Sequence, residues 1–433
     1  MYIRSSSVKS TSSRAPRPPA IPRGVQTMSV ENTQAKCPVV EFDYLQGGCP
    51  VNSGFERMTE LAKLGPVVEA ESHHGLPGFL IATNTESLTE AFQDPQRFSS
   101  HSVIAIEPDP EYLMIPVQLD PPIHSAWRKN LAPFFTPARV REYEEGIRAR
   151  CIALIDAIEG KDTVDFTEEF AVPFPNYVFM EILGLPEEKF DQFMVWENTI
   201  MHATTENDPD RSRARQAMVE VATYFGEVIA SRRADPSLRS NDLISAALEW
   251  AIDGEPAKDE DLQNLCMFLF IAGLDTVAAQ LAAIFHHLAS HPENRSRIID
   301  DPEIIPHAIE EMLRAFPNVA TARKVVADTE FAGIQVKAGQ MILLPTSAAG
   351  RDPNVFDNPD VVDFDRDVIR HLTFGAGAHR CVGSHLARLE LKVALEEWHK
   401  RFPQYSLEEP DAITEHGGGA QTGIDKLRLT LAK

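Results

Sequence analysis

Cysteine is scarce in this chain and widely scattered: Cys37, Cys49, Cys151, Cys266 and Cys381 are the five in 433 residues, and no two form a CxxC pair. An odd set without close pairs has neither the density of a disulfide framework nor the spacing of a structural zinc site, and it suits a reducing cytoplasm. Positive charge is also short, with 41 Lys and Arg against 64 Asp and Glu and a formal charge of −23. Nucleic acid and anionic membrane surfaces both call for clustered cations, so neither is an expected partner, and a polyanionic substrate is disfavoured. Long apolar runs are missing as well. A membrane span needs about 20 apolar residues in a row, whereas the longest candidate, Leu265 to Leu274, is cut off by Asp275 and Thr276 and reads as a buried helix segment. No internal repeat is found, which excludes solenoids and propellers.

What is present is a globular composition, 43% hydrophobic and 24% charged, long enough to bury a large core. Length alone would allow about two to three domains, but the motifs below fall in one continuous order. The first thirty residues differ from the rest: Arg4, Lys9, Arg14, Arg17 and Arg23 lie among Ser and Pro with no acid between them. Residues 1–35 are therefore expected to be a disordered tail, with translation from Met28 or a targeting peptide as alternatives, and residues 36–433 to form one folded unit. Apolar residues recur at helical spacing over Arg139–Glu159, Asp210–Arg233 and Asp259–Ser290. Strand-like stretches are few: Phe79–Ala82, Phe331–Val336 and Met341–Leu344, punctuated by Gly333 and Gly339. The expected fold class is mainly α with small β-sheets.

The densest signal is Phe374-Gly-Ala-Gly-Ala-His-Arg-Cys381-Val-Gly383, running into a helical stretch from Ser384 to His399. Glycines let backbone approach a flat cofactor and turn amide N–H groups toward the cysteine sulfur. A cysteine at the start of a helix is expected to ionise readily and to serve as a metal ligand. A lone buried cysteine beside a glycine turn would be structural, but the ten-residue pattern argues otherwise. Two further features share this chemistry. Glu311-Met-Leu-Arg314 places an acid and a base three apart on a helix, and Ala272-Gly-Leu-Asp275-Thr276 puts an acid and a hydroxyl inside an apolar helix. Burying unpaired polar groups costs about 2–7 kcal/mol, so Asp275 and Thr276 need either local partners or a function.

These residues resemble the cytochrome P450 superfamily. Phe374, Gly377, Cys381 and Gly383 match its FxxGxxxCxG haem signature, Glu311 and Arg314 its ExxR motif, and Arg351-Asp352-Pro353 through Phe356, Pro359, Phe364 and Arg366 the meander that follows. The resemblance implies the P450 fold, a single triangular-prism domain with a long central helix, and haem b with Cys381 as the axial thiolate. It implies an ion network of Glu311, Arg314 and Arg366 behind the haem, and propionate binding by His124, Arg128, Arg323 and His379, of which His124 and Arg128 lie four apart on one helix face. It also implies proton delivery to bound O2 by Asp275 and Thr276, with Ala272 and Gly273 keeping the groove wall small.

The resemblance extends over most of the chain after about residue 40 and leans toward the bacterial camphor-hydroxylase branch, through Tyr112-Leu-Met-Ile-Pro116, Asp120-Pro-Pro122, Pro173-Phe-Pro175 and Gly184-Leu-Pro-Glu-Glu188. It implies a soluble monooxygenase that hydroxylates a small apolar molecule, a camphor- or cineole-like terpenoid. Electrons would come from a separate [2Fe–2S] ferredoxin and its NADH-dependent reductase, docking near Arg128, Lys129, Arg380 and Lys392. Tyr112 would donate to a substrate oxygen in a pocket walled by Phe268, Ile271, Ala272, Val319, Ala420 and Gln421. Larger apolar substrates (norisoprenoid, steroid or fatty acid), a peroxide-driven or isomerising enzyme, and a non-catalytic haem sensor are the alternatives. The peroxide-driven and isomerising readings sit poorly with the Asp275–Thr276 pair, and a sensor would need no redox-partner surface.

Overall fold

The computed structural model describes residues 37–432 apart from 47, 48, 74, 205, 209 and 418. The expected N-terminal tail lies outside the described residues. The longest helices coincide with the periodic stretches. Pro137–Ile158 starts where the Thr136 side chain accepts a hydrogen bond from Arg139 N–H, with Pro137 at the first helical position, where its missing N–H costs nothing. Among the described residues, Ser212–Ala234 and Ser384–Arg401 are the other two helices of more than sixteen residues.

The predicted Asp259–Ser290 helix is present but divided. It runs Asp259–Leu274, carries three acids in its first turn where the helix dipole favours them, and resumes as Thr276–Ser290 after a departure at Asp275. Taken through that break it is a 32-residue run, long and apolar enough by composition to cross a membrane, so the reading that no such run exists is corrected. Its position is that of a core helix: Leu262, Leu265, Cys266, Leu269, Phe270, Leu274, Leu281 and Phe285 are all buried in the helical core.

The β structure is modest. A six-stranded sheet follows the order Val39–Val40, Val67–Ala70, Phe79–Ala82, Met341–Pro345, Ala320–Val325, Phe98–Ser99. Its Met341–Pro345 strand pairs parallel with Phe79–Ala82 and antiparallel with Ala320–Val325. The predicted Phe331–Val336 strand is instead a hairpin of Thr329–Phe331 and Ile334–Val336, turned at Ala332 and Gly333, both with positive φ. The Ala320–Val325 strand has no clean alternation, because Arg323 is buried in it, and periodicity did not reveal it. Near the C-terminus Thr414–Gly417 pairs with Thr422–Ile424, setting His416 opposite Gly423.

Two hydrophobic cores result. One surrounds the central helix and gathers Phe166, Phe170, Phe174, Phe285 and Trp398. The other lies on the large sheet, around Ile81, Phe98, Phe331, Ile342 and Leu344.

Candidate haem and oxygen site

Both cores contribute to the walls of one cavity of about 420 Å³, with Tyr44, Leu45 and Phe92 from the sheet side and Phe179, Leu269, Leu313 and Leu386 from the helical side. Cys381 opens onto it. The loop before it is held by Cys381 N–H donating to the Phe374 carbonyl at 2.8 Å and by the Arg388 guanidinium lying 4.5 Å from the centre of the Phe374 ring. Gly377, at φ 69°, is required: a side chain there would meet the Phe92 carbonyl oxygen at 2.4 Å. The Gly383 N–H together with Arg128, Arg380 and Arg388 favours the thiolate, yet burial outweighs them and raises the Cys381 pKa above its ordinary value. The Cys381 side chain is itself open to the cavity, where it would serve as the ligand to a metal, and a coordinated thiol is held as the thiolate.

The expected ion network is assembled. Arg314 donates two bonds of 2.8 Å to the two carboxylate oxygens of Glu311 and further ones to the carbonyls of Gly350, Pro359 and Val361. Arg366 donates to the same carboxylate at 3.2 Å, and Asp363 N–H adds a bond of 2.9 Å. Glu311 and Arg314 are wholly buried, and the dense set of hydrogen bonds between and around them offsets the cost of taking such polar groups out of water.

Facing the cavity is a different arrangement, two imidazoles and two guanidiniums whose hydrogen-bonding capacity is only partly used; Arg323 donates to the Ala322 carbonyl at 2.7 Å. His124 and His379 stack with ring centres 4.0 Å apart, and His124 Nδ1 and His379 Nε2 are buried without hydrogen-bond partners. Burial, reinforced by Arg128 and Arg323, pushes His124 down to about 4 and His379 to about 2. Arg323 is 3% exposed, and burial lowers it to about 10. Imidazoles and cations with hydrogen-bonding capacity to spare around one cavity fit an anionic ligand, and the two propionates of haem are such a ligand. Arg128 spends one of its donors on the Arg380 carbonyl at 2.6 Å. Of the other cations expected at a docking surface, Lys129 and Arg380 are exposed, whereas Lys392 is paired with Glu396 at 3.0 Å.

The cavity wall includes Tyr112, Phe268, Ile271, Ala272, Val319, Ala420 and Gln421, as expected, together with Thr276. Val319 and Gln421 are bridged directly. The role expected of Tyr112 needs correcting: its hydroxyl donates to Glu107 Oε2 at 2.5 Å, and Glu107 also faces Arg211 at 3.4 Å. A carboxylate is a stronger acceptor than a neutral carbonyl, and it holds this proton. Gly273 also lines the cavity, and a side chain there would meet the Phe179 ring, another lining residue, at 2.5 Å.

At the break in the central helix, the Thr276 hydroxyl donates to the Ala272 carbonyl over a long 3.3 Å, and Asn318 Nδ2 donates to the Thr276 carbonyl at 2.8 Å. Asp275 is 6% exposed and lies 3.4 Å from His202 Nε2. Burial alone would raise its pKa, but the hydrogen bond and charge of His202 outweigh that and hold it below the usual carboxylate range. Sequence reasoning missed His202, His416, Asn318, Glu107 and Glu390. His202, His416, Asn318 and Glu390 line the cavity, and Glu107 reaches it through the Tyr112 hydroxyl. Glu390 is 2% exposed on the Ser384–Arg401 helix, and burial raises its pKa well above the ordinary carboxyl value.

A sequence profile of the cytochrome P450 family matches residues 62–418. The chain is 33% identical to the probable cytochrome P450 127A1 of Sinorhizobium fredii over 357 residues, 82% of this chain and 84% of that protein. It is 32% identical to the steroid C26-monooxygenase of Mycobacterium tuberculosis, over 78% of this chain and 84% of that one. Among solved structures, CYP101J2 superposes with a TM-score of 0.81 at 30% identity, covering 91% of this chain and 97% of that one. CYP101C1 gives the same score at 29% identity, with coverages of 92% and 99%. Taken with the cysteine loop, the buried ExxR network and the donor-lined cavity, these similarities establish that the chain belongs to the cytochrome P450 family of haem b monooxygenases.

Proposed function

We propose that the protein hydroxylates a C–H bond of a small apolar molecule, a monoterpenoid of the camphor or cineole type, in the cytoplasm. Members of this family need O2 and a redox partner; the partner proposed here is a [2Fe–2S] ferredoxin reduced by an NADH-dependent reductase. The observation that carries the reading is the cavity wall, where Phe268, Ile271, Ala272, Val319 and Ala420 present apolar surface and the acid–hydroxyl pair Asp275–Thr276 sits at the helix break beside them.

Cys381 would ligate the iron, while His124, Arg128, Arg323 and His379 would neutralise the propionates. The haem supplies O2 activation at its iron. The chain's part is proton handling and positioning. The Thr276 hydroxyl, held only by a long bond to Ala272, is free to turn into the cavity and donate there. Asp275, kept ionised by His202, accepts a proton from the solvent side and returns it to that hydroxyl. The apolar wall orients the substrate mainly by shape. A steroid-sized substrate is the second reading, favoured by the commitment of the Tyr112 hydroxyl to Glu107, which leaves a small ketone without the expected phenol donor.

A spectral binding screen separates the two. Cyclic monoterpenoid ketones and ethers should displace the ferric Soret band at lower concentration than steroids or fatty acids. The best binder, given O2, ferredoxin, reductase and NADH, should yield an alcohol labelled from isotopic O2. Tighter binding of steroids would overturn the terpenoid assignment, and absence of label in the product would overturn the monooxygenation of that substrate.

A further inference from the structure

Around Asp275, and lining the same cavity as Thr276, lies a group that oxygen chemistry alone does not require. His202, just past the Phe190–Met201 helix, Asp275 at the helix break and His416 in the C-terminal hairpin present ligand atoms that all lie within 4.8 Å of one another. His202 Nε2 is 3.4 Å from Asp275 Oδ2 and 3.9 Å from Glu197 Oε1, and the two imidazole rings are 4.3 Å apart. Two atoms here are orphans. His416 Nε2 is buried without a hydrogen-bond partner, and so is Oε1 of Glu197, a residue only 6% exposed. His416 is also aimed: its Nδ1 is bonded to Asp425 Oδ1 at 2.8 Å, which leaves Nε2 as the nitrogen facing the group. Gly423 opposite permits the approach, since a side chain there would meet His416 Nε2 at 3.0 Å.

We infer that His202, Asp275, His416 and Glu197 form a binding site for a divalent transition-metal ion, zinc being the best match. Tetrahedral zinc with bonds of about 2.0–2.1 Å places its ligands about 3.4 Å apart, so the closest pair already has the required spacing and the others need small inward rotations. Two imidazoles with carboxylates select borderline ions over calcium or magnesium, which prefer all-oxygen cages. The Asp425–His416 pair supplies the carboxylate that orients a metal-ligating imidazole and raises its basicity. His202 is 29% exposed and Asp425 37%, so an ion can reach the group from solvent. The bound ion would join three segments, the end of one helix, the central break and the C-terminal hairpin. On the reading of Asp275 given above, it would also take that carboxylate out of proton delivery, making the site inhibitory.

The test uses the haem-loaded full chain without a histidine tag, stripped with chelator and dialysed against zinc with metal analysis. One zinc per chain should bind saturably. His416→Ala should weaken it by at least about tenfold, and Asp425→Asn by about 10–100-fold; the Soret band of each reduced carbon monoxide adduct reports that the fold and haem are retained. Zinc should slow turnover of the wild type and leave that of His416→Ala at its own metal-free rate. Failure of saturable binding, or binding unchanged in both variants, overturns the site. Zinc binding lost in both variants but without any effect on wild-type turnover supports the site and overturns the role given to Asp275.

Discussion

The phenol of Tyr112 and the carboxyl of Glu390 are both buried polar groups at the cavity, and they call for different tests. Tyr112→Phe removes a donor from Glu107, a loss of about 1.5–3 kcal/mol for a hydrogen bond to a charged group. Because that bond is internal to the protein, the variant should lower thermal stability while weakening a bicyclic ketone and its hydrocarbon analogue to the same extent in spectral titrations. A loss confined to the ketone would return Tyr112 to the substrate. Burial holds the Glu390 carboxyl pKa well above the ordinary value. Its folded pKa lies above the unfolded value of about 4.3, so its favourable contribution is full below that pH and is lost as pH rises toward the folded pKa. Glu390→Gln, which cannot ionise, should therefore melt progressively higher than wild type as pH increases from about 4.3, a trend that paired melting curves would show or refute. Neither residue was legible as it is found. Tyr112 was picked out by position, but its acceptor, five residues earlier, carried no pattern. Glu390 looks like any acid on an amphipathic helix until the fold turns it inward.

At the scale of elements, the division of the central helix matters most. Where the backbone departs at Asp275, the Ala272 carbonyl accepts from the Thr276 side-chain hydroxyl at 3.3 Å. Thr276→Ala should keep NADH consumption while diverting it to peroxide, and Asp275→Asn should slow turnover by about 10²–10⁴-fold, the usual worth of a positioned proton-transfer group. Product and peroxide assays run side by side decide it; full coupling in Thr276→Ala would remove the hydroxyl from the pathway. The elements themselves were readable wherever their determinants are local. Helical periodicity marked Pro137–Ile158 and Ser384–Arg401 to within about two residues, and the glycine–cysteine loop and the Glu311–Arg314 turn carry their chemistry within ten residues and four residues of sequence. The Ala320–Val325 strand was not readable, because Arg323 breaks its apolar pattern for the sake of the cavity. Nor was the group around His202, whose members lie 73 or more residues from Asp275 in sequence and meet only through tertiary packing.

For the whole molecule, function and family were visible through short motifs, while the substrate depends on a wall assembled from six or more separate segments. That same assembly has a thermodynamic consequence. Residues of the helical core and of the sheet core both line the cavity, so occupancy of the cavity is expected to affect how cooperatively the two melt. A ligand that touches both adds stability of RT ln(1 + [L]/Kd) to the joint state alone. In scanning calorimetry the haem-loaded protein should show one endotherm whose calorimetric and van't Hoff enthalpies agree. Extraction of the haem should broaden or split it, with the sheet core of Ile81, Phe98 and Ile342 and the aromatic core of Phe166, Phe285 and Trp398 losing heat at different temperatures. The cofactor would then act as the coupling element between two semi-independent folding units, and haem supply during synthesis would set the yield of cooperatively folded protein.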